Sequence, residues 1–477
     1  MNQSPGKPKN TGPKRPPVKG ENIFISYWGI WVVLAVLFIF FAIKTGGKAP
    51  HSGEGTEAAA AIKPPVFGEP AYIGSKRCKD CHWREFDAWK STLHSRFVQL
   101  PGEYTVIGDF ERDNTVIEGN NTARMFRRDG KFYVNTVGPD TKPRDYEIAY
   151  VIGIGRRQNY ITTFPNGEMH VLPVEWDVKT EKWVELNRAG NNHPGNGGSW
   201  SDAGSIYQIK CGGCHFTGLK INYDKDKDSF SSAWTEPGIG CEACHGPGSN
   251  HVKAASEYFD YEKETIVNPA RLPWRLRAMV CGQCHNWGAS TAAVSPSKND
   301  FPKRYGYAYN YLPGKALNLY YEVERDETKK HHQQYNEWEG SEHSNAGVMC
   351  TNCHNVHQVT GEIHSDSQTV QTAQTKFASD NLCTNCHQTL QKRAAHRIHT
   401  FGSCIACHMP ETKGHEHSHT FKFISPAESI KAGGVDRKTN SCNNCHHHKD
   451  TPPENLVEFL NAAKKADMPI PFTVHGR

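Results

Sequence analysis

The chain has 477 residues, of which 37% are hydrophobic and 22% are charged, and its formal net charge is +5 at pH 7. This hydrophobic content is low for a chain of such length that must bury a core of its own. The composition therefore indicates that something other than Leu and Ile side chains fills part of the core.

The first predicted element is a membrane segment. Residues 23–43 form a run of 21 residues without a charge, and five basic residues stand against one acid in residues 1–22. A helix of this length spans about 31 Å, which matches the hydrocarbon thickness of a bilayer. The basic N-terminal tail should stay in the cytoplasm. We therefore predict a single-pass anchor in a bacterial inner membrane, with the rest of the chain on the periplasmic or extracytoplasmic side.

A cleaved signal peptide is the alternative interpretation of this segment. The apolar run is longer than the usual core of a signal peptide, and residues 44–50 offer no convincing cleavage site. Both interpretations export the remainder of the chain. Residues 44–66 are rich in Gly, Ala and Pro, which predicts a flexible tether.

All sixteen cysteines occur in eight C-x-x-C-H units, numbered here as motifs 1 to 8 in chain order. This unit is the attachment signature of c-type haem. The predicted attachment thiols are Cys78/Cys81, Cys211/Cys214, Cys241/Cys244, Cys281/Cys284, Cys350/Cys353, Cys383/Cys386, Cys404/Cys407 and Cys442/Cys445. The predicted proximal iron ligands are His82, His215, His245, His285, His354, His387, His408 and His446. The cofactor prediction is eight covalently attached haem c groups with their iron.

A zinc ribbon or a disulfide framework is the alternative for a lone C-x-x-C pair. Histidine makes up only 26 of 477 residues, so eight cysteine pairs all followed by His do not arise by chance. Eight apolar porphyrins would also compensate for the low hydrophobic content, because burial is favourable by about 25 cal/mol per Å². Their propionates would offset the small positive charge, and we expect no nucleic acid among the partners.

The motifs divide the exported part into three predicted regions. Residues 67–210 contain motif 1 and a small β-rich insert, residues 211–300 contain motifs 2–4, and residues 301–477 contain motifs 5–8 and a C-terminal helix. Turn signals such as Arg128-Asp129-Gly130 predict β-hairpins within the insert. The alternating runs beside them are residues 131–134, 160–164, 170–174 and 182–186. Apolar spacing favours helices over residues 83–98 and 454–465, with short helices and loops around the haems elsewhere.

Each iron needs a ligand on its far face, or that site stays open. Eighteen of the 26 histidines lie outside the motifs, whereas the chain has only seven methionines. We therefore predict two axial histidines at most sites, which biases reduction potentials lower than His/Met ligation does. The predicted distal ligands are His94, His251, His343, His357, His396, His399, His419 and His193. Further candidates are His170, His331 and His332.

Several stretches resemble the multihaem cytochromes of the cytochrome c-552/4 (c-554-type) group. They are Tyr72-Ile73-Gly74, the segment ending at His94, residues 171–177, residues 238–249, Cys407-His408-Met409-Pro410 and Ser418-His419-Thr420-Phe421. The resemblance covers about residues 70–450, and its motifs are specific for the superfamily rather than for one activity. It implies that His94, His251, His343 and His419 are distal ligands.

These observations favour a membrane-anchored cytochrome that carries electrons through eight mostly bis-histidine haems. The expected partners are a quinol-oxidising membrane complex as donor and a soluble or outer acceptor. The alternative is an octahaem oxidoreductase acting on a small nitrogen or sulfur compound at one open haem, as in enzymes of the hydroxylamine oxidase, tetrathionate reductase or nitrite reductase kind. The catalytic residues of such an enzyme are not identified by the sequence. A third interpretation is a filament with haem ligation between subunits, which an uncleaved anchor disfavours.

Overall fold

The computed structural model describes residues 65–112, 114–118, 121–153, 155–186, 199–258, 261–292, 304–324, 333–357, 374–377, 379–388, 403–411, 416–445 and 447–466. The chain divides into two compact units, Met1–Pro65 and Val66–Arg477. Every element named below lies in the second unit. The predicted anchor, residues 23–43, lies outside the described residues. Within the described ranges, no helix is long and apolar enough to cross a membrane.

The helices are short, and most of them lie beside or inside the C-x-x-C-H motifs. Helices α1–α8 are Ser75–Cys78, Trp83–Lys90, Leu93–Arg96, Tyr207–Lys210, Gly212–His215, Cys241–His245, Ser249–Glu257 and Trp274–Gly282. Helices α9–α15 are Gln334–Glu339, Glu342–Asn345, Cys350–Cys353, Asn381–Thr384, Cys404–His408, Pro426–Lys431 and Pro453–Ala466. Single 3-10 turns are Ala203–Ser205, Pro269–Arg271 and Leu317–Leu319.

The strands lie mainly between motifs 1 and 2. Strands β1–β9 are Val98–Gln99, Asn114–Glu118, Asn121–Arg128, Lys131–Val137, Pro143–Glu147, Tyr150–Ile152, Arg157–Thr163, Met169–Asp177 and Lys182–Glu185. Strands β10–β15 are Phe216–Thr217, Tyr223–Asp224, Ser229–Phe230, Glu236–Pro237, Gly288–Ser290 and Tyr321–Val323.

Two antiparallel sheets form the insert. One has the order β2-β3-β4-β5 and the other the order β1-β6-β7-β8-β9. Alternate residues of β4 are buried, as expected for a strand with one face in the core. Met125 and Val134 from the first sheet and Tyr160 and Leu172 from the second are all fully buried in a shared cluster. The insert therefore has its own apolar core.

Strand β8 connects this insert to motif 2. It is buried on both faces, because one face meets the first sheet and the other meets α4. On the α4 side, Ile161, Met169 and Tyr207 belong to one buried cluster, against which Cys211 packs. The sheet thus forms a rigid support behind the attachment turn of motif 2.

The four hairpin strands predicted from the sequence are confirmed as β4, β7, β8 and β9. Between β3 and β4, Asp129 and Gly130 both have positive φ, of 52° and 75°, which is the backbone of a tight hairpin turn. The insert is larger than predicted, since its two sheets together contain nine strands.

One helix prediction needs correction and one is confirmed. Residues 83–98 form α2 and α3 rather than one helix, because Thr92 adopts extended backbone angles and its hydroxyl accepts the N–H of Ser95. A hydroxyl in this position starts a new helix. The predicted C-terminal helix is present as α15.

Candidate haem-binding sites

The attachment motifs lie in tight helical turns. In α6 and α13 a single helix contains the whole C-x-x-C-H unit. Residues three apart share a face of a helix, so both thiols of a motif point to the same side. All sixteen cysteines lie in the described ranges, and none forms a disulfide. Among the described residues there is also no cluster of three or more His, Cys, Asp or Glu side chains arranged to hold a metal ion by themselves.

Neighbouring attachment turns touch one another through their cysteines. The pairs in side-chain contact are Cys78 with Cys241, Cys214 with Cys284, Cys281 with Cys350, and Cys383 with Cys404. Cys244 with Cys284, Cys353 with Cys386, and Cys407 with Cys445 lie close enough to interact electrostatically. Motifs 1, 3, 4, 5, 6, 7 and 8 therefore follow one another in space, and motif 2 joins this series at motif 4.

Five proximal histidines each face a second histidine from another part of the chain. The ring centres are 6.2 Å apart in His82/His251, His94/His285, His245/His357 and His354/His419, and 5.9 Å apart in His343/His387. A metal–imidazole bond is about 2 Å long and the ring centre lies about 1 Å beyond the nitrogen, so two imidazoles on one iron have centres about 6 Å apart. These pairs fit an axially coordinated iron.

Hydrogen bonds orient several of these rings. The Nδ1 atoms of His245 and His251 lie 2.8 Å from the carbonyl oxygens of Val267 and Glu262, and the Nδ1 of His419 lies 2.8 Å from the carbonyl of His417. A carbonyl only accepts hydrogen bonds, so Nδ1 carries the proton and Nε2 keeps its lone pair. Nε2 is then the atom that can bind a metal.

Burial favours the neutral form of several of the paired imidazoles. It lowers the pKa of His94 and of His419 to about 4, and nearby histidines add to the effect in both cases. Burial also lowers the pKa of His245, His285 and His343. A neutral imidazole is the form that coordinates iron, so these rings are ready to act as ligands at neutral pH.

His94 and His343 are presented by the same local structure. His94 is the second residue of α3 and His343 the second residue of α10, and the hydroxyls of Thr92 and Ser341 cap these helices. Each hydroxyl also donates to the carbonyl of a tryptophan three residues earlier, at 2.7 Å in both copies. The sequence pattern Trp-x-x-Ser/Thr-x-His occurs at both places and predicts this arrangement.

Motif 2 has different surroundings. The hydroxyl of Tyr207 is hydrogen-bonded to Nδ1 of His215, and the ring of Phe97 lies 4.9 Å from the His215 ring. Tyr307 covers Gly213, where a Cβ atom would lie 2.0 Å from the tyrosine ring. A glycine is therefore required in this attachment turn. Sequence reasoning did not identify either tyrosine, since tyrosines at these positions look like ordinary core residues.

The other candidate histidines fall into two groups. His193, His331, His332, His396, His399 and the proximal His446 lie outside the described residues. His170 is fully buried in β8, where its Nε2 lies 3.2 Å from Glu168 and its ring stacks on Phe164 at 4.6 Å. His417, which was not among the predicted ligands, has its Nδ1 2.8 Å from the carbonyl of Met409, so it carries its proton on Nδ1 as His245, His251 and His419 do.

Comparisons with known proteins agree with these features. The sequence profile of the family described as "Cytochrome c554 and c-prime" matches residues 176–246. The chain is 25% identical over 254 residues to "Cytochrome c nitrite reductase subunit NrfA" of Nitratidesulfovibrio vulgaris, which covers 48% of this chain and 47% of that protein. It is 19% identical over 459 residues to "Dissimilatory sulfite reductase MccA" of Wolinella succinogenes, which covers 83% of this chain and 61% of that protein. The chain thus spans less than two thirds of the length of both relatives.

The fold has a counterpart among solved structures. "Crystal Structure of Outer Cell Wall Cytochrome OcwA" matches with a TM-score of 0.54 and 23% identity, covering 82% of this chain and 86% of that chain. The chain is a multihaem c-type cytochrome with covalently attached haem c and its iron. Within that class it is similar to the c554-type cytochromes and to the relatives named above.

Proposed function

We propose that the chain is an octahaem cytochrome that carries electrons through sites with two axial histidines. The observation that carries this proposal is the set of five histidine pairs at 5.9–6.2 Å. His82, His245, His285, His354 and His387 would be the proximal ligands, and His251, His357, His94, His419 and His343 the corresponding distal ligands. Haem c supplies a one-electron couple at each site, and two imidazoles bias it towards low potential.

The arrangement of the attachment turns supports a conducting role. From motif 1 to motif 8, cysteines of neighbouring motifs are either in side-chain contact or close enough to interact electrostatically. A protein that only stored electrons at separate sites would not need its attachment turns in mutual contact. The chain places all eight in one series with a single branch at motif 2.

The proposed location is the outer face of a bacterial inner membrane. Residues 23–43 would anchor the chain as a single-pass segment, and residues 44–66 would tether the haem domain on the periplasmic or extracytoplasmic side. The proposed donor is a quinol-oxidising membrane complex, and the proposed acceptor is a soluble or outer redox protein. The uncharged run of 21 residues and the basic tail before it support this proposal.

The haem count and ligation are tested on the purified full chain. The ratio of haem to protein, measured by the pyridine haemochrome method, should be eight. Electron paramagnetic resonance of the oxidised protein should show mostly low-spin ferric iron, because two imidazoles give a strong ligand field. A ratio below eight would contradict the count, and predominantly high-spin iron would contradict bis-histidine ligation.

A second candidate function is reduction of a small nitrogen or sulfur oxyanion at one open haem. The similarity to a nitrite reductase subunit and to a dissimilatory sulfite reductase favours this candidate. Nitrite or sulfite is added in turn to protein that has been reduced with viologen. Rapid reoxidation of the haems by either anion would support the reductase, whereas stable reduced spectra with both would support the electron carrier.

A further inference from the structure

A buried carboxylate lies inside the attachment turn of motif 3. Glu242 stands between Cys241 and Cys244, and it is only 1% exposed. Its two oxygens accept hydrogen bonds from the backbone N–H groups of Ile73 at 3.0 and 3.1 Å, Gly74 at 2.8 Å and Gly248 at 2.7 Å. Both oxygens act only as acceptors, which is the role of an ionised carboxylate.

A second carboxylate lies on the same contact between motifs 1 and 3. Oε1 of Glu236 accepts from the backbone N–H of Ser75 at 3.2 Å and from its hydroxyl at 2.5 Å. The Ser75 hydroxyl in turn accepts from the backbone N–H of Cys241 at 2.9 Å. This network joins the two acids to the place where Cys78 meets Cys241.

No cation neutralises these two acids among the described residues. The ion pairs found in the described ranges include neither Glu236 nor Glu242. The partners of Glu242 are backbone N–H groups, which stabilise its charge without cancelling it. In a buried position this charge is poorly screened by water.

The contact between motifs 2 and 4 is bordered by neutral side chains instead of carboxylates. It is bordered by the aromatic residues Tyr207, Tyr307 and Tyr321, all buried, and burial raises the pKa of each of these phenols, which keeps them neutral. At the contact between motifs 6 and 7, Asp380 accepts from the N–H of Cys404 at 2.7 Å, but Asp380 is partly exposed to water. The only nearly inaccessible carboxylate found in an attachment turn of the described residues is Glu242.

We propose that Glu242, assisted by Glu236, holds the sites of motifs 1 and 3 at the low-potential end of the series. A buried negative charge stabilises the oxidised iron, which carries one more positive charge than the reduced iron, and so lowers the potential. This inference rests on the proposed electron-transfer function. Electrons move towards higher potential, so they would enter at motif 1, which is the motif nearest in sequence to the proposed anchor.

The test is a spectroelectrochemical titration of the full holoprotein carrying Glu242→Gln. Glutamine keeps the size of the side chain and removes its charge. The lowest-potential steps should rise by about 59 mV or more, which corresponds to a tenfold change in the reduction equilibrium of a one-electron couple. The rest of the curve should stay in place, because the other motifs lie farther from Glu242.

Asp80→Asn is the matched control. Asp80 also lies inside an attachment turn, between Cys78 and Cys81, but its side chain is 67% exposed and pairs with Arg77 at 3.4 Å. Water and Arg77 both screen this charge, so the curve of Asp80→Asn should coincide with that of the wild type. An equal rise in both variants would overturn the inference, because it would show that burial does not matter.

Glu236→Gln keeps the proposal testable if Glu242→Gln loses haem or fails to fold. It should raise the same low-potential steps by a smaller amount. The inference is wrong if either variant keeps its haem content and low-spin spectrum but titrates as the wild type does. Failure of the proposed function would look different, because reoxidation by nitrite or sulfite would reveal a reductase whether or not these potentials shift.

Discussion

Single histidines illustrate how a residue becomes a ligand in this fold. His251 donates Nδ1–H to the carbonyl of Glu262, and its ring lies 6.2 Å from that of His82 and nearly parallel to it, at 23°. The hydrogen bond fixes both the tautomer and the direction of the ring. The helix α7 that supports His251 follows motif 3, so the histidine that faces His82 of motif 1 comes from another motif's segment.

Replacement of His251 by Ala should change the spin state of one site. The thioether bonds and His82 remain, so the haem content should stay at the wild-type value. Loss of the second imidazole weakens the ligand field, and a high-spin ferric signal should appear in electron paramagnetic resonance. The control is His51→Ala in the predicted tether, which should leave the spectrum unchanged. An unchanged low-spin spectrum in His251→Ala would show that this histidine is not an axial ligand.

The β-rich insert contains a buried ion pair. Arg157 and Glu175 are 3.0 Å apart, with side chains 17% and 0% exposed, and Asn159 donates to Glu175 at 3.1 Å. Burial raises the pKa of Glu175, and the attraction of Arg157 only partly opposes this. Desolvation of the carboxylate therefore outweighs its pairing.

The raised pKa of Glu175 leads to a prediction about how the stability of the protein depends on pH. The folded-state pKa of Glu175 is above its unfolded value, so the folded state holds the proton more tightly. The stabilisation that the folded state gains from this tighter proton binding is fully present below the unfolded pKa. It is lost as the pH rises through the folded pKa. The thermal midpoint of the wild type, relative to that of Glu175→Gln, should therefore fall as the pH rises above about 4.3. Circular dichroism at several pH values measures this difference, and a difference that rises with pH would contradict the prediction.

At the scale of elements, α3 and α10 are two copies of one ligand-presenting unit. In each, a hydroxyl caps the helix and also donates to a tryptophan carbonyl. The indole N–H groups of Trp89 and Trp338 donate to the carbonyls of Ile239 and Val348 at 2.9 and 2.8 Å. The tryptophan thus fixes the helix to a neighbouring segment, and the cap fixes the histidine to the helix.

Loss of the cap should destabilise this unit. Ser341→Ala removes the acceptor for the N–H of Ser344 and should lower the free energy of unfolding by about 1 kcal/mol. Ser341→Thr should restore the wild-type value, since threonine already occupies the equivalent position 92. Denaturant unfolding followed by circular dichroism gives both values. Equal stability of the Ala and Thr variants would indicate that the cap has no role.

Gln208 joins the insert to the element that carries motif 2. It is 1% exposed, accepts the N–H of Met169 at 2.9 Å and donates to the carbonyl of Gly167 at 2.6 Å. Gln208→Leu would leave the N–H of the buried Met169 without this partner and remove a donor to the half-buried Gly167, so we expect a loss of about 1–3 kcal/mol in the free energy of unfolding. Gln208→Glu keeps the acceptor and should lose less, and urea unfolding of the two variants compares them. A larger loss in the Glu variant would contradict this account.

At the scale of the whole molecule, ligands cross between distant segments. His94 follows motif 1 but faces the histidine of motif 4, and His357 follows motif 5 but faces that of motif 3. Each iron would therefore join two parts of the chain that are far apart in sequence. In such an arrangement cofactor binding and folding are coupled. Short helices and few strands are then enough to hold the chain together around the motifs, because the bound cofactors link its segments.

The boundary of the haem domain leads to a prediction at this scale. Val66–Arg477 forms a compact unit by itself. An exported variant without residues 1–65 should keep the haem-to-protein ratio of the full chain and should leave the membrane fraction for the soluble fraction. Haem staining of the two fractions measures this partition. Retention in the membrane would contradict the proposed anchor, and loss of haem would contradict the independence of the unit.

Much of the local chemistry was predictable from the sequence. The attachment thiols and proximal histidines follow from a pattern with fixed spacing, and the strands of the insert follow from alternation and from turns such as Asp129-Gly130. The break between α2 and α3 was missed because apolar spacing says little about a capping hydroxyl. The buried contacts of Glu242 and Tyr207 beside the attachment turns were missed because neither residue type is diagnostic until its burial and hydrogen bonds are known.

The sequence by itself determined the cofactor chemistry, because covalent attachment depends on neighbours within one turn of the chain. The tertiary structure alone decided which histidine faces which. His251, His343 and His419 were all predicted as ligands, but only their positions in space show that they face the histidines of motifs 1, 6 and 5. The physical reason is that the two histidines of each pair come from segments that are remote in sequence. No local sequence pattern shows which of these segments pack against each other.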